Sequence, residues 1–550
     1  MPGNQSSPAH GTRAVPLTLF DLADDAAMQV PTSCRRTGRC RECVVEVKSG
    51  AEHLSSPTPP EDFLREPFRL ACQAELSDPG AAVDFAIIRR RLRIVAPEPE
   101  PRTGPIDPVV RVVDGIVHYG SEPIEPRRGG VYGLALDLGT TTVVLELVDL
   151  EDGRTLEVVA LENPQRFGGS DVINRISYDE AHGGGELRDA VRKALNRELG
   201  ALYERQGIDR REVYEVVVVG NATMRDLFFG LDVAPIGQRP YKSITEQAVI
   251  EGRSETTTLV RPAHSLGVRA NPRGRVWGGP LIASHVGADV AADLLAVGLD
   301  GSQPGCSMLV DVGTNTEVVL AGRGRILATS CPAGPAFEGG TVTYGMQASE
   351  GAIESVQVRD DGTFALRTIG DAPARGLCGS GLIDLVAELR RSGGMDAKGV
   401  FPDRARSLVV SAQEGITFSR ADGSALAQAK AANTVGQWIL LRELGIQPHE
   451  VDRLYLAGGF ATYVDIGNAI AIGFLAPVAP ERIAKVGNAS LHGARELLLS
   501  GSARERLEGL IRRIEHVELE LTPDFFELFV DGCQFKPLPA DVLGDRRVAC

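Results

Sequence analysis

Residues 131–149 read VYGLALDLGTTTVVLELVD, two apolar strands meeting at a tight turn of Asp137, Leu138, Gly139, Thr140, Thr141 and Thr142. Small residues in such a turn let backbone N–H groups and hydroxyls approach a phosphate chain. A related turn recurs at 308–317, MLVDVGTNTE, again after an apolar strand and before another, Val318, Val319 and Leu320. One Asp-x-Gly-Thr turn is equally an ordinary β-turn. Two of them, with Asp137 and Asp311 standing 174 positions apart, predict a duplicated domain with a nucleotide in the cleft between its halves.

A second feature lies near the amino terminus. Cys34, Cys40 and Cys43 fall within CRRTGRCREC, and Cys72 follows 29 positions later in RLACQ. A 2Fe-2S cluster takes four thiolates, and a wrapping loop supplies three of them close together while a later turn supplies the fourth. Five and then two residues separate the first three cysteines, against four and two in the plant-type spacing, a variant similar to the bacterial and adrenodoxin-like ferredoxins. Four thiolates also make a structural zinc site, although zinc sites usually draw on two paired C-x-x-C knuckles and Cys72 has no near partner. Around these cysteines the pattern predicts a helix over 18–28, a strand over 43–48 and a closing strand over 82–88. The region before Thr18 is short for an opening hairpin, so that edge of the sheet is expected to be abbreviated. Arg35, Arg36, Arg39 and Arg41 crowd the cysteine loop, where cations favour a reduced cluster, offer a docking face to an acidic partner, or simply stand solvated.

At 550 residues the chain has room for three or four units of ordinary domain size, with 43% hydrophobic and 24% charged residues as in globular proteins. A formal charge of −15 argues against nucleic acid as a general partner. The first 16 residues lack the apolar core of a secretory signal, and no run of about 18 apolar residues occurs, so neither export nor a membrane span is expected. Nine cysteines, five of them scattered (Cys306, Cys331, Cys378, Cys533 and Cys550), fit a reduced cytoplasmic setting. Alternating proline and charge at 97–105, PEPEPRTGP, reads as an extended linker. Residues 106–130 contain the apolar VVRVV and receive no assigned role.

From residue 131 onward strands and helices alternate, which argues for a layered α/β architecture. NPQRFGGSDVI (163–173) is turn-rich and is expected to line the cleft. The strand Val216, Val217, Val218 and Val219 runs into GNATMRDL, placing Asn221 and Thr223 at the carboxyl edge of a sheet, where ligands collect. CPAGPAFEGG (331–340) and GLCGSG (376–381) follow, the latter ahead of an amphipathic helix over 382–389. The strand LYLA then ends in Gly458, Gly459 and Phe460, where glycines admit a flat ligand such as adenine and ribose and the phenyl ring packs nearby.

The two hairpins followed by strand-Ala-Gly-Gly-Phe resemble the phosphate 1, phosphate 2 and adenosine motifs of the acetate and sugar kinase, Hsc70 and actin superfamily. NPQRFGGSDVINRI, VGNATMRDLFFG, CPAGPAFEGG and GLCGSGLIDLVAEL, joined to the amino-terminal cysteines, resemble the reductive activators of corrinoid proteins. That resemblance covers most of the chain, and it implies an α/β and α+β multidomain protein. A small ferredoxin-like β-grasp domain would span 12–96, a linker with a reduced middle region 97–130, and a duplicated actin/Hsc70/sugar-kinase-like ATPase domain 131–550, with lobes at about 131–305 and 306–540. It implies 2Fe-2S, ATP and Mg2+ as cofactors, and a corrinoid protein of a methyltransferase system as partner, with cobalt restored from Co(II) to Co(I) by one electron. A low-potential donor recharges the iron, and a two-fold dimer is compatible with this scheme. By the same resemblance Cys34, Cys40, Cys43 and Cys72 hold the cluster, while Asp137 and Asp311 orient Mg2+-bound or attacking water. Thr140, Thr141, Thr314 and Thr316 hold phosphate oxygens, with Gly139, Thr142, Gly313 and Asn315 completing the turns, and Gly458, Gly459 and Phe460 admit the adenosine. Asn221, Glu317 and Glu338 are as readily caps as ligands. Alternatives are a small-molecule kinase, an ATP switch with a redox-sensing ferredoxin domain, and a radical-dehydratase activator, for which Cys331 and Cys378 would be the cluster ligands.

Overall fold

The computed structural model describes residues 17–26, 28, 30, 36–38, 43–78, 80–87, 91–92, 106–338, 341–359, 361–459 and 461–539, with 91–92 and 403 by backbone alone. The chain forms two compact units, one of 1–90 with 166–168 and one of 91–165 with 169–550.

In the first unit the helix Leu19–Asp25 starts at Thr18, whose hydroxyl and backbone N–H exchange hydrogen bonds with Asp21 in a capping box. It is shorter than the predicted 18–28 because Asp24 and Asp25 place negative charge at the carboxyl end, where the helix dipole disfavours it. The strand Val44–Ser49 is central, paired antiparallel with Phe68–Leu70 on one side and Asp84–Ile87 on the other. Among the described residues no opening hairpin precedes the helix, and residues 1–16 lie outside the description. Glu61 and Arg69, the latter on the strand Phe68–Leu70, are both buried. Glu61 Oε1 accepts from Arg69 Nε at 2.8 Å and from the Leu70 N–H at 2.9 Å, so the charge pair is desolvated but satisfied.

The second unit carries two large sheets with one pattern. In the first, Arg275–Gly278, Val213–Val219 and Tyr132–Leu138 run parallel, and Tyr132–Leu138 turns back antiparallel through Thr142–Asp149 and Thr155–Glu162. In the second, Ile483–Gly487, Arg453–Ala457 and Ser307–Val312 run parallel and continue antiparallel through Thr316–Gly322 and Arg325–Cys331. Order and sense agree strand for strand, the duplication that the two turns announced. Valine, leucine and isoleucine fill these strands because helices cover both faces; all seven residues of Val213–Val219 are buried.

The lobes do not divide at residue 305 alone. The helices Ala489–Leu499 and Gly501–Ile511 follow the second sheet in sequence but pack on the first lobe. Leu498 lies against the Gly133 backbone, and Ser490 Oγ lies 3.0 Å from Asp293 Oδ1 on the helix Ala288–Val297. Arg504 Nη1 lies 2.9 Å from Glu215 Oε1 in the first sheet. Only at Ile514–His516 does the chain rejoin the second sheet, beside Arg325–Cys331. The unassigned region 106–130 forms a three-stranded meander, Val110–Val113, Ile116–Tyr119 and Glu122–Pro126. Its first turn is Asp114-Gly115, both with positive φ as a two-residue hairpin requires. It is clipped to the first lobe, where Arg273 Nη1 donates to the Ile124 carbonyl at 2.8 Å. Within the second half, GLCGSG starts the helix Gly379–Ser392 directly, three residues ahead of the predicted boundary.

Candidate functional site

The two phosphate-type turns face each other across a cavity of about 270 Å3 within the second unit. Asp137, Gly139, Thr140, Thr141, Thr142, Asn221, Asp311, Gly313, Thr314, Asn315, Gly458 and Gly459 all line it, a convergence of the two hairpins, the Asn221 helix cap and the glycine turn from four distant stretches of chain. Thr316 does not; its hydroxyl is buried without a hydrogen-bond partner at the head of the strand Thr316–Gly322, whereas Thr314 and Asn315 lie in the turn before it. Phe460 lies outside the described residues. NPQRFGGSDVI does not line the cavity either. Asn163 Nδ2 donates instead to the Gly139 carbonyl at 2.8 Å, supporting the first turn from behind, as Arg175 Nη2 does at the Thr140 carbonyl, 2.6 Å away.

Hydroxyls of the two lobes meet at the centre. Thr141 Oγ1 and Thr314 Oγ1 are 3.1 Å apart, and both donate to Glu338 Oε2, Thr141 at 2.7 Å. A carboxylate oxygen thus sits on the hydroxyl pair that the sequence assigns to phosphate. Asn221 caps the helix Ala222–Phe229 through Oδ1 and spends its Nδ2 on Thr140 Oγ1 at 3.0 Å. The glycines leave room for a flat ligand. Gly458 has φ +110, and a Cβ there would fall 2.1 Å from the Val312 carbonyl, whereas a Cβ on Gly459 would meet nothing within 4 Å.

The floor of the cleft is acidic. Burial, offset in part by the amide of Asn488 and reinforced by the Asp311 charge, pushes Asp137 up to about 7. Burial also pushes Asp311 up to about 6, with Glu338 adding to the rise. Asp289, missed in the sequence, rises to about 8 through burial and the charge of Asp311. Asp293 and Glu317 are raised by burial and neighbouring carboxylates as well. Asp289 and Asp293 lie four residues apart on Ala288–Val297, otherwise all alanine, valine and leucine, and that spacing was the available signal. Among the described residues no three His, Cys, Asp or Glu side chains converge into a metal cage. Mg2+ is commonly held by one or two carboxylates together with nucleotide phosphates, and the buried Asp137 and Asp311 fit that use.

In the first unit, Val44 pairs with Leu70, which brings Cys43 and Cys72 side by side; the Ala71 N–H donates to the Cys43 carbonyl at 2.8 Å. Both thiols are buried and their sulfurs are 3.3 Å apart, too far for a disulfide and close enough to ligate one iron. Cys34 and Cys40, like Arg35, Arg39 and Arg41, lie outside the described residues. Arg36 is exposed but paired: Nη1 bonds Asp21 at 3.0 Å, Nη2 bonds Asp24, and the guanidinium lies 4.0 Å from the Phe20 ring centroid. Cys331 and Cys378 are buried thiols of the second unit, with Cys378 Sγ donating to the Ile353 carbonyl at 3.3 Å.

Fold and site together define a class, an iron-sulfur ferredoxin-like unit joined to a duplicated α/β domain of the kinase, Hsc70 and actin type. Three family profiles match the chain in order: a 2Fe-2S iron-sulfur cluster binding domain over 10–77, the RACo middle region over 132–302, and the C-terminal domain of RACo, its ASKHA domain, over 305–542. The family's middle region therefore falls on the first lobe and not on 106–130. A corrinoid activation enzyme, RamQ, of Eubacterium limosum is 29% identical over 454 residues, 77% of this chain and 73% of that protein. The [Co(II) methylated amine-specific corrinoid protein] reductase of Methanosarcina barkeri is 26% identical over 428 residues, 73% of this chain and 76% of that one. The solved structure of a reductive activator for corrinoid, iron-sulfur protein aligns with a TM-score of 0.69 at 28% identity, covering 94% of this chain and 95% of that one. The chain belongs to the family of reductive activators of corrinoid proteins. Among the described residues no helix is long and apolar enough to cross a membrane.

Proposed function

We propose that the protein, working with ATP and Mg2+ in the cleft, passes one electron to the Co(II) corrinoid of a methyltransferase-system corrinoid protein and so restores Co(I). The observation that carries this reading is the presence, in one chain, of the paired thiols Cys43 and Cys72 and of a cleft where hydroxyls from both lobes meet on one anion. The names of the relatives support the corrinoid partner. When bound, the 2Fe-2S cluster supplies single electrons, and plant-type clusters lie near about −400 mV. Each 100 mV by which the cobalt is harder to reduce costs about 2.3 kcal/mol, so docking alone leaves most of it oxidised.

The chain answers that deficit through two states of the cleft that bind the acceptor unequally. Thr140, Thr141, Thr314 and Asn315 bind the phosphates, and Asp137 and Asp311 orient the metal-bound or attacking water. Gly458 and Gly459 admit the adenosine. Cys43 and Cys72, together with Cys34 and Cys40, hold the iron. Closure on ATP engages the partner and hydrolysis releases it, in a cytoplasmic setting with a low-potential donor recharging the iron. Mixing the reduced protein with a Co(II) corrinoid protein and following the visible spectrum tests this directly. Co(I) forming only with ATP supports it, and equal rates without nucleotide refute it.

A further inference from the structure

A short repeat stands outside the hairpins: Val219-Gly220-Asn221-Ala222-Thr223-Met224 and Val486-Gly487-Asn488-Ala489-Ser490-Leu491. Each copy joins the carboxyl end of a strand to a helix, and each asparagine caps that helix. Asn221 Oδ1 accepts from the Met224 N–H at 3.0 Å and Asn488 Oδ1 from the Leu491 N–H at 2.8 Å. Capping uses only the oxygen, so each amide keeps N–H donors for a second partner. Both spend them on the same turn: Asn221 Nδ2 on Thr140 Oγ1 at 3.0 Å, Asn488 Nδ2 on Asp137 Oδ2 at 2.8 Å.

The two copies reach that turn from opposite lobes. Val213–Val219 belongs to the first sheet, but Ile483–Gly487 belongs to the second. The helix after Asn488 is fixed to the first lobe, since a Cβ on Gly493 would fall 2.0 Å from the Ala292 carbonyl, leaving no clearance to slide. Asn488 therefore stands where the chain leaves one lobe for the other, and its amide holds a carboxylate of the cleft floor. Gly487, with φ +62, gives the backbone just before it a conformation that other residues rarely adopt.

We propose that Asn488 is a positioning residue, a latch through which the second lobe registers what occupies the first phosphate turn. Resting on the reading of the cleft as a nucleotide site, this assigns the coupling between cleft occupancy and lobe position to one amide. Ligand engagement that moves Asp137 moves the end of Ile483–Gly487 with it, whereas Asn221 holds Thr140 within a single lobe and transmits nothing.

Amide hydrogen exchange on the full-length protein tests the latch with Asn488→Ser and Asn488→Asp. Serine and aspartate cap helices as well as asparagine does, but neither offers an N–H to Asp137. Without nucleotide, both variants should keep the first turn of 489–499 as protected as in the wild type. Exchange at 139–142 should rise about tenfold, the equivalent of one hydrogen bond to a charged group. With ATP, the wild type should gain protection at 139–142 and at 483–487, and the variants only at 139–142. Wild-type exchange at 139–142 in both variants without nucleotide, or ATP-induced protection persisting at 483–487 in either, overturns the proposal. A wild-type protein that gains no protection from ATP refutes the nucleotide reading instead, a separate failure that leaves the nucleotide-free comparison valid.

Discussion

Glu338 makes a quantitative prediction about nucleotide binding. Its Oε2 accepts from Thr141 and Thr314, one hydroxyl from each lobe, so an incoming phosphate must displace a carboxylate from two charge-assisted hydrogen bonds. Bonds to a charged acceptor contribute about 2 kcal/mol each and neutral ones about 1 kcal/mol, so Glu338→Gln lowers the cost of displacement by about 2 kcal/mol. ATP should then bind roughly thirtyfold more tightly to the variant. Burial raises the Glu338 carboxyl above its ordinary range, although the hydroxyls of Thr314 and Thr141 and the charge of Arg175 work the other way. The gain should therefore be larger at alkaline than at mildly acid pH, where the wild-type side chain begins to carry its own proton. Calorimetric titration of nucleotide-free protein with ATP measures the difference. Equal or weaker binding by the glutamine variant would show that the carboxylate does not compete with phosphate, and would remove the argument that the hydroxyl pair is a phosphate seat.

Three further outcomes are expected. Gly458→Ala should cost several kcal/mol in a thermal melt because its Cβ would strike the Val312 carbonyl at positive φ, while Gly459→Ala, with open space around its Cβ, should melt like the wild type and lose ATP affinity. Cys72→Ser should abolish the visible absorbance and the iron content without changing ATP affinity, since the two units are separately compact. Asp137, Asp289 and Asp311 have folded-state pKa values of about 7, 8 and 6, above the unfolded value of 3.8, so their stabilising protonation is complete below about pH 4 and lost as pH rises through that range. Lys430, depressed by burial to about 7 from 10.5, opposes this only above pH 7, so the nucleotide-free melting temperature should rise as pH falls from about 8 to 5, and a flat profile would refute the buried acidic floor.

Much of the site could be read because its chemistry is local. Asp137, Gly139 and Thr140, and likewise Asp311, Gly313 and Thr314, sit on contiguous turns whose shape follows from their own residues. Asn221 could be placed because a strand, a glycine and a capping residue adjoin. Asp289 was missed because its role comes from the cleft into which its helix is docked, not from its neighbours. Asn488 was missed for the same reason, although the repeated Val-Gly-Asn-Ala was visible in the sequence. The meander at 106–130 was unreadable because its partners, Arg273 and Asn271, lie about 150 positions away. That the Thr316 hydroxyl is buried off the cavity could not be read, because a motif names a residue type and not where its side chain points.

The return of 489–511 to the first lobe bears on how the molecule is made. Leu498 covers Gly133 and Arg504 answers the buried Glu215, so the first lobe stays unfinished until nearly the whole polypeptide has emerged from the ribosome. The two topologically equivalent halves are thus not separable modules. A split gene encoding them as two polypeptides cut near residue 305 would leave the earlier piece waiting for the later one before either had a cleft to offer.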